Sequence, residues 1–240
     1  MIIEGRNAVS ELIKTDKTVD KVLVQNGMRD EASRALVKKI VESGIKLSYC
    51  DKNVLDKQSQ SGRHQGFMAF VSDYEYAELE DIIESCGGRD CLILVLDGIE
   101  DPHNLGSIIR VAECGGLDGI IIGKHRSAAV TDSVMRISEG GANHVKIARV
   151  TNINAAIEKI KENNIWVYGL ELGGGDIYKT DLRGRTAIVI GGEDTGVNQL
   201  TRKKCDGIIT IKMHGNVNSL NASVACGIAV FEALRQRENR

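Results

Sequence analysis

Proline is almost missing from this chain: one residue, Pro102, in 240, where roughly a dozen would be average. That scarcity excludes proline-rich linkers and collagen-like segments. Aromatic residues are few, at 4%. Charge of one sign is not in excess either: 31 basic against 33 acidic side chains leave a formal charge of -2. The chain therefore has no bulk attraction for a polyanion, and any such site must be local. No window approaches the ~18 uninterrupted apolar residues of a membrane span. The opening Met1-Ile2-Ile3-Glu4-Gly5-Arg6 lacks a signal peptide's basic-then-apolar order, so a cytoplasmic protein without a membrane partner is expected.

Several chemistries are missing as well. None of the six cysteines forms a C-x-x-C pair, and most lie in or beside apolar runs, so they are read as reduced core residues. The five histidines are scattered and no H-E-x-x-H occurs, so no metal is expected. There is no G-x-G-x-x-G after a strand, no Walker loop and no G-x-S-x-G elbow. The ordinary dinucleotide, nucleoside-triphosphate and serine-hydrolase sites are thereby excluded.

What is present is a globular composition, 42% hydrophobic and 27% charged. Residues 1–75 alternate helix and strand signals: helices at 7–14 and 31–43, and apolar stretches at 21–25, 45–49 and 67–72. They read as a small α/β domain. Its polar loop Gln58-Ser59-Gln60-Ser61-Gly62-Arg63-His64-Gln65-Gly66 offers donors and two cationic groups. Either it touches RNA or it is simply a solvated loop. Residues 76–90 hold five acidic side chains and one basic, and end in Cys86-Gly87-Gly88-Arg89-Asp90. They read as a short acidic helix and then a flexible break, an acidic, glycine-containing linker.

Residues 91–240 begin with Cys91-Leu92-Ile93-Leu94-Val95-Leu96-Asp97, a run expected of a strand buried on both faces of a parallel sheet. Beyond it come a helix over 104–114, a strand at 119–122, a helix at 152–163, strands at 165–170, 186–190 and 207–211, and a helix from about 220 to 236. The pattern is α/β with a mainly parallel sheet.

Ligands of such sheets bind beyond the carboxyl ends of strands, and three strand ends are unusual. The first leads into Asn104-Leu105-Gly106-Ser107-Ile108-Ile109-Arg110. There Asn104 suits a helix N-cap, while Arg110, between Ile109 and Val111, is either an ion-pair partner or a grip for phosphate. The second is Gly191-Gly192-Glu193-Asp194-Thr195-Gly196, where glycines permit close approach to a ligand and Glu193 stands at the rim. The third is Ser219-Leu220-Asn221-Ala222-Ser223-Val224-Ala225, where Ser219 suits an N-cap. Capping does not account for Asn216, Asn218 and Asn221 crowding one turn.

Together these segments resemble, in content, order and spacing, the three motifs of the SpoU/TrmH class of RNA ribose 2'-O-methyltransferases, within the SPOUT superfamily. The opening Ile3-Glu4-Gly5-Arg6-Asn7 and the His64-Gln65-Gly66 loop are similar to the amino-terminal, L30e-like substrate-binding domain of bacterial 23S rRNA guanosine 2'-O-methyltransferases. The resemblance implies RNA binding through Arg6, Arg63 and His64 and a carboxyl-terminal deep trefoil knot. It further implies S-adenosylmethionine held by Gly191, Gly192, Ile211, Met213 and Leu220, and a homodimer in which Arg110 acts across the interface. Arg110 would then grip a phosphate and steady the developing alkoxide, because a guanidinium stays protonated and makes a poor base. Asn104, Glu193, Ser219 and Asn221 would orient it and the nucleotide. Lys212 stands where such proteins commonly have proline, which adds a positive charge beside the pocket. The alternatives are the same transfer to tRNA or to another rRNA nucleotide, or a non-catalytic RNA-binding assembly protein of the same fold.

Overall fold

A computed structural model describes residues 1–15, 17–193 and 196–238. The chain divides into two units, Met1–Glu75 and Tyr76–Arg240. The first comprises β1 (Ile2–Glu4), α1 (Arg6–Leu12), β2 (Val19–Gln25), α2 (Glu31–Glu42), β3 (Leu47–Cys50), α3 (Lys52–Gln58) and β4 (Phe67–Val71). Its sheet has the order β1-β4-β2-β3; β4 runs antiparallel to both neighbours, and β3 runs parallel to β2. Side chains alternate across the sheet. Val22, Val24, Phe67, Ala69 and Val71 pack with Val9 and Leu12 of α1 and Leu36 and Ile40 of α2. On the opposite face Leu23 and Met68 meet Leu55 of α3.

The second unit comprises α4 (Leu79–Cys86), β5 (Cys91–Asp97), α5 (Pro102–Cys114), β6 (Gly119–Gly123), α6 (Asp132–Ile137), β7 (Ile147–Val150), α7 (Ile153–Glu162), β8 (Trp166–Asp176), β9 (Arg185–Gly191), α8 (Gln199–Lys204), β10 (Gly207–Thr210) and α9 (Ala222–Glu238). Its six strands lie in the order β10-β8-β9-β5-β6-β7, and every pairing is parallel. The α/β class with a parallel sheet is as expected, and the apolar run at 91–97 is its central strand: Leu92 to Leu96 are at most 2% exposed. Full burial of each such side chain contributes about 1.5–3 kcal/mol.

Two expectations change. The stretch 76–90 is no linker: α4 presents Leu79, Ile82, Ile83 and Cys86 to a core that includes Ile93, Val95 and Val189. Its acidic residues occupy the solvent side of an amphipathic helix, which is why composition alone suggested a solvated connector. Among the cysteines, Cys86, Cys91 and Cys226 are buried, but Cys114 is exposed at the end of α5. Burial pushes the Cys226 thiol up to about 12.

Among the described residues, no helix is long and apolar enough to cross a membrane.

Candidate active site

The strand order reverses between β5 and β9, and the loops leaving their carboxyl ends build the site. β5 ends at Asp97, and Gly98 turns the chain with φ +81°. Asp101 then caps α5 by accepting from the His103 amide at 3.0 Å, with Pro102 in the first turn. Asp101, not Asn104, is therefore the N-cap. Asn104 sits inside the first turn, 5% exposed, with its amide free for other work. Two residues on, a Cβ on Gly106 would stand 2.6 Å from Ile137 Cβ, so glycine here lets α6 press against α5.

β9 delivers Gly191 and Gly192. A Cβ on Gly191 would lie 2.1 Å from the Gly196 carbonyl carbon, and one on Gly192 would lie 2.3 Å from the Gly98 carbonyl oxygen. Both glycines are therefore required by close backbone approach. The Gly192 amide donates to the Asp97 carbonyl at 3.0 Å, tying the two strand ends together. Asp194 and Thr195 of the second motif lie outside the described residues.

The third segment begins α9, and its cap is Asn221 rather than Ser219: Asn221 Oδ1 accepts from the Ser223 amide at 3.0 Å and the Val224 amide at 3.3 Å. Its Nδ2 points the other way, donating to Glu193 Oε1 at 2.7 Å and Asn104 Oδ1 at 2.8 Å. Asn104 Nδ2 donates to the same Glu193 Oε1 at 2.8 Å. Residues from three separated segments thus close a small ring of hydrogen bonds.

Beside the ring lies a cavity of about 290 Å³ that includes Gly191, Gly192, Glu193, Ile211, Met213, Ser219 and Leu220 in its wall. Every residue that the resemblance assigned to the cofactor lies on this wall. Leu170, Glu171 and Leu172, midway along β8, also line it, and the three motifs do not include them. The strand-end rule applied to the apolar run 165–170 would have found them. Lys212 does not add free charge, because its ammonium meets Asp176 at 2.9 Å and that contact, the largest cause, lowers the Asp176 carboxyl from its ordinary value.

Arg110 stands apart. It lies on the outward side of α5, its side chain 57% exposed, with a guanidinium nitrogen 3.8 Å from Glu139. It is not held against a core, and it is not among the residues lining the cavity of its own chain.

The residues proposed for RNA in the first unit also separate. His64 is buried, 4% exposed. Its Nδ1 accepts from the Gly66 amide at 3.0 Å, so Nε2 donates to Asp56 Oδ1 at 2.9 Å. It shapes the loop from within and does not present itself to a ligand. Arg6 pairs with Asp30 at 2.9 Å and remains partly exposed. Arg63 is exposed. Glu4 gathers the loop by accepting from the hydroxyls of Ser59 and Ser61 and the amide of Gln60. Those bonds, that of Ser59 first, lower its carboxyl to about 2.

Cys86, Cys91 and Asp118 bring three potential metal-ligand atoms within 4.8 Å of one another. The Asp118 oxygens are already engaged by Arg89 and the Leu92 amide.

Comparison with known proteins decides the family. Residues 91–231 match the SpoU rRNA Methylase family, and residues 2–77 match the RNA 2'-O ribose methyltransferase substrate-binding family. The chain belongs to the SpoU rRNA methylase family. A Staphylococcus haemolyticus protein assigned to the TrmH family of tRNA/rRNA methyltransferases is 40% identical over 240 residues, covering 99% of this chain and 96% of its own. A Staphylococcus aureus relative with the same assignment is 39% identical over 241 residues, covering 99% and 97%. Among solved structures, the SpoU methyltransferase AviRb from Streptomyces viridochromogenes, in complex with the cofactor AdoMet, matches with a TM-score of 0.65 at 23% identity. That match covers 100% of this chain and 91% of AviRb, and at this identity it speaks to the fold. This SpoU/TrmH chain is thus an RNA methyltransferase with a substrate-binding unit ahead of its methyltransferase unit.

Proposed function

We propose that this protein transfers a methyl group from S-adenosylmethionine to the ribose 2'-hydroxyl of a guanosine in 23S rRNA, working as a cytoplasmic homodimer in ribosome biogenesis. The observation that carries the reading is the ring joining Asn104, Glu193 and Asn221 at the edge of the cavity. It makes one site of three separated segments.

The cavity fits the cofactor. Ile190, Ile211, Met213 and Leu220 give it apolar walls, Gly191 and Gly192 give it backbone surface, and the carboxylates of Glu171 and Glu193 suit a cation. When bound, S-adenosylmethionine supplies an electrophilic methyl group on a sulfonium. Gly191, Gly192, Ile211, Met213 and Leu220 hold it. Asn104, Glu193, Asn221 and Ser219 set the position of the nucleotide, because an attacking oxygen must be aligned with the methyl before it reacts. Arg110 grips the phosphate beside the target ribose and steadies the alkoxide as it forms, and the hydroxyl proton leaves through phosphate or water.

Since Arg110 faces away from its own cavity, the dimer supplies it from the second protomer. Val224 and Phe231, one heptad apart on α9 and about half exposed, offer an apolar strip for that contact. Arg6 and Arg63 contact RNA, with His64 as the internal brace of the loop that carries Arg63. The trefoil threading belongs to the same proposal, supported by the crowding of Gly191 against Gly196 and of Gly192 against Gly98.

The test is methyl transfer from labelled cofactor to total RNA of a strain lacking the gene, and then mapping of the modified ribose. A single 2'-O-methylguanosine in 23S rRNA is expected. Label on a tRNA ribose would move the substrate and keep the chemistry, whereas label on a base would overturn both.

A further inference from the structure

Two carboxylates reach the cavity, and their occupation differs. Glu193 Oε1 accepts from both Asn104 and Asn221. Glu171 Oε2 is buried and accepts no hydrogen bond among the described residues; the guanidinium of Arg202 stands 3.4 Å from it as an ion pair. The residue is firmly seated. Thr210 Oγ1 donates to its carbonyl at 2.6 Å, and its Oε1 packs toward Gly196, 3.2 Å from where a Cβ would be. A carboxylate oxygen removed from water without a donor is costly, and it persists where a partner outside the resting fold completes it. No lysine, arginine or histidine is among the residues lining this cavity, and the Arg202 guanidinium meets Glu171 from outside that lining.

The methyl donor and the demethylated product share the same nucleoside and amino-acid parts. They differ by one methyl group and one positive charge. Apolar walls and backbone donors treat the two nearly alike, whereas a carboxylate on the wall, balanced only in part by Arg202, does not. We infer that Glu171 is the counter-charge by which the pocket prefers the sulfonium donor over the neutral thioether product. This rests on the cofactor assignment proposed above. Arg202 tempers the preference because its cation lies against the same carboxylate. Losing the positive charge in transfer then weakens the grip on what remains and favours exchange of product for fresh donor.

Isothermal titration of the full-length protein, without RNA, with S-adenosylmethionine and separately with S-adenosylhomocysteine tests this. Glu171→Gln should weaken binding of the methyl donor about ten-fold (~1.4 kcal/mol) while product affinity stays within about two-fold. Arg202→Gln, which removes the competing cation, should move the ratio of the two affinities the opposite way. Equal losses for both compounds, or unchanged ratios in both variants, would overturn the inference while leaving the cofactor assignment intact. Wild-type protein that binds neither compound would overturn the assignment and the inference with it.

Discussion

The two units spend their conspicuous polar residues in opposite ways. In the first, the loop that looked most like a ligand surface is largely occupied with itself: His64 braces it from within, and Glu4 binds Ser59, Gln60 and Ser61. In the second, Asn104, Glu193 and Asn221 satisfy one another across strand ends. Short polar side chains in one loop find nearby backbone partners first. Polar residues brought together from separate segments serve the place where those segments meet. Grouping in sequence and grouping in space therefore single out different residues.

The contrast can be broken most decisively at Arg110, whose exposed side chain reaches Glu139 only at 3.8 Å. Arg110→Ala should leave the thermal melt unchanged and cut single-turnover methyl transfer by about 10³-fold; transfer within about ten-fold of wild type would remove Arg110 from the mechanism. Next comes Asn104→Ala, which opens the ring. It should slow transfer by about 10²-fold and cost about 1–3 kcal/mol of stability, read by urea titration, because buried donors and acceptors lose partners.

In the first unit, His64→Ala should lower the urea midpoint by the equivalent of about 1–3 kcal/mol. Arg63→Ala should leave that midpoint alone, weaken RNA binding and reduce the slope of log affinity against log salt by about one. If His64→Ala instead weakened RNA binding at unchanged stability, the two units would not differ as described. The smallest effect belongs to Glu4. Its folded carboxyl lies at about 2 against an ordinary 4.5, so its stabilisation is complete above 4.5 and is lost as pH falls towards 2. Glu4→Gln should flatten the acid limb of the stability profile in that window, checked by denaturant titration at several pH values.

Much of the second unit was legible because the continuous apolar run 91–97 has few ways to be buried, and glycine pairs punctuate the chain beyond it. The site residues were legible as types but not in their roles. Local capping grammar favoured Asn104 and Ser219, while the helices begin at Asp101-Pro102 and Asn221. The Asp-Pro pair was a readable start signal, whereas nothing local ranks Asn221 above Ser219. Short β7 and α8 were not legible because four to six residues carry little periodicity. In 79–86, acidic composition outweighed the apolar spacing of Leu79, Ile82, Ile83 and Cys86, the signal that counted.

Asn221 faces two ways, and this has a consequence for how the protein can change. One amide group both fixes where the last helix starts and closes the hydrogen-bonded ring, so that start cannot slip by a single residue without opening the pocket's edge. The exposed turn from His214 to Val217 is outside the cavity lining and carries no such double duty. Insertions and deletions should accumulate there across descendants, while the spacing from Asn221 into the helix stays frozen.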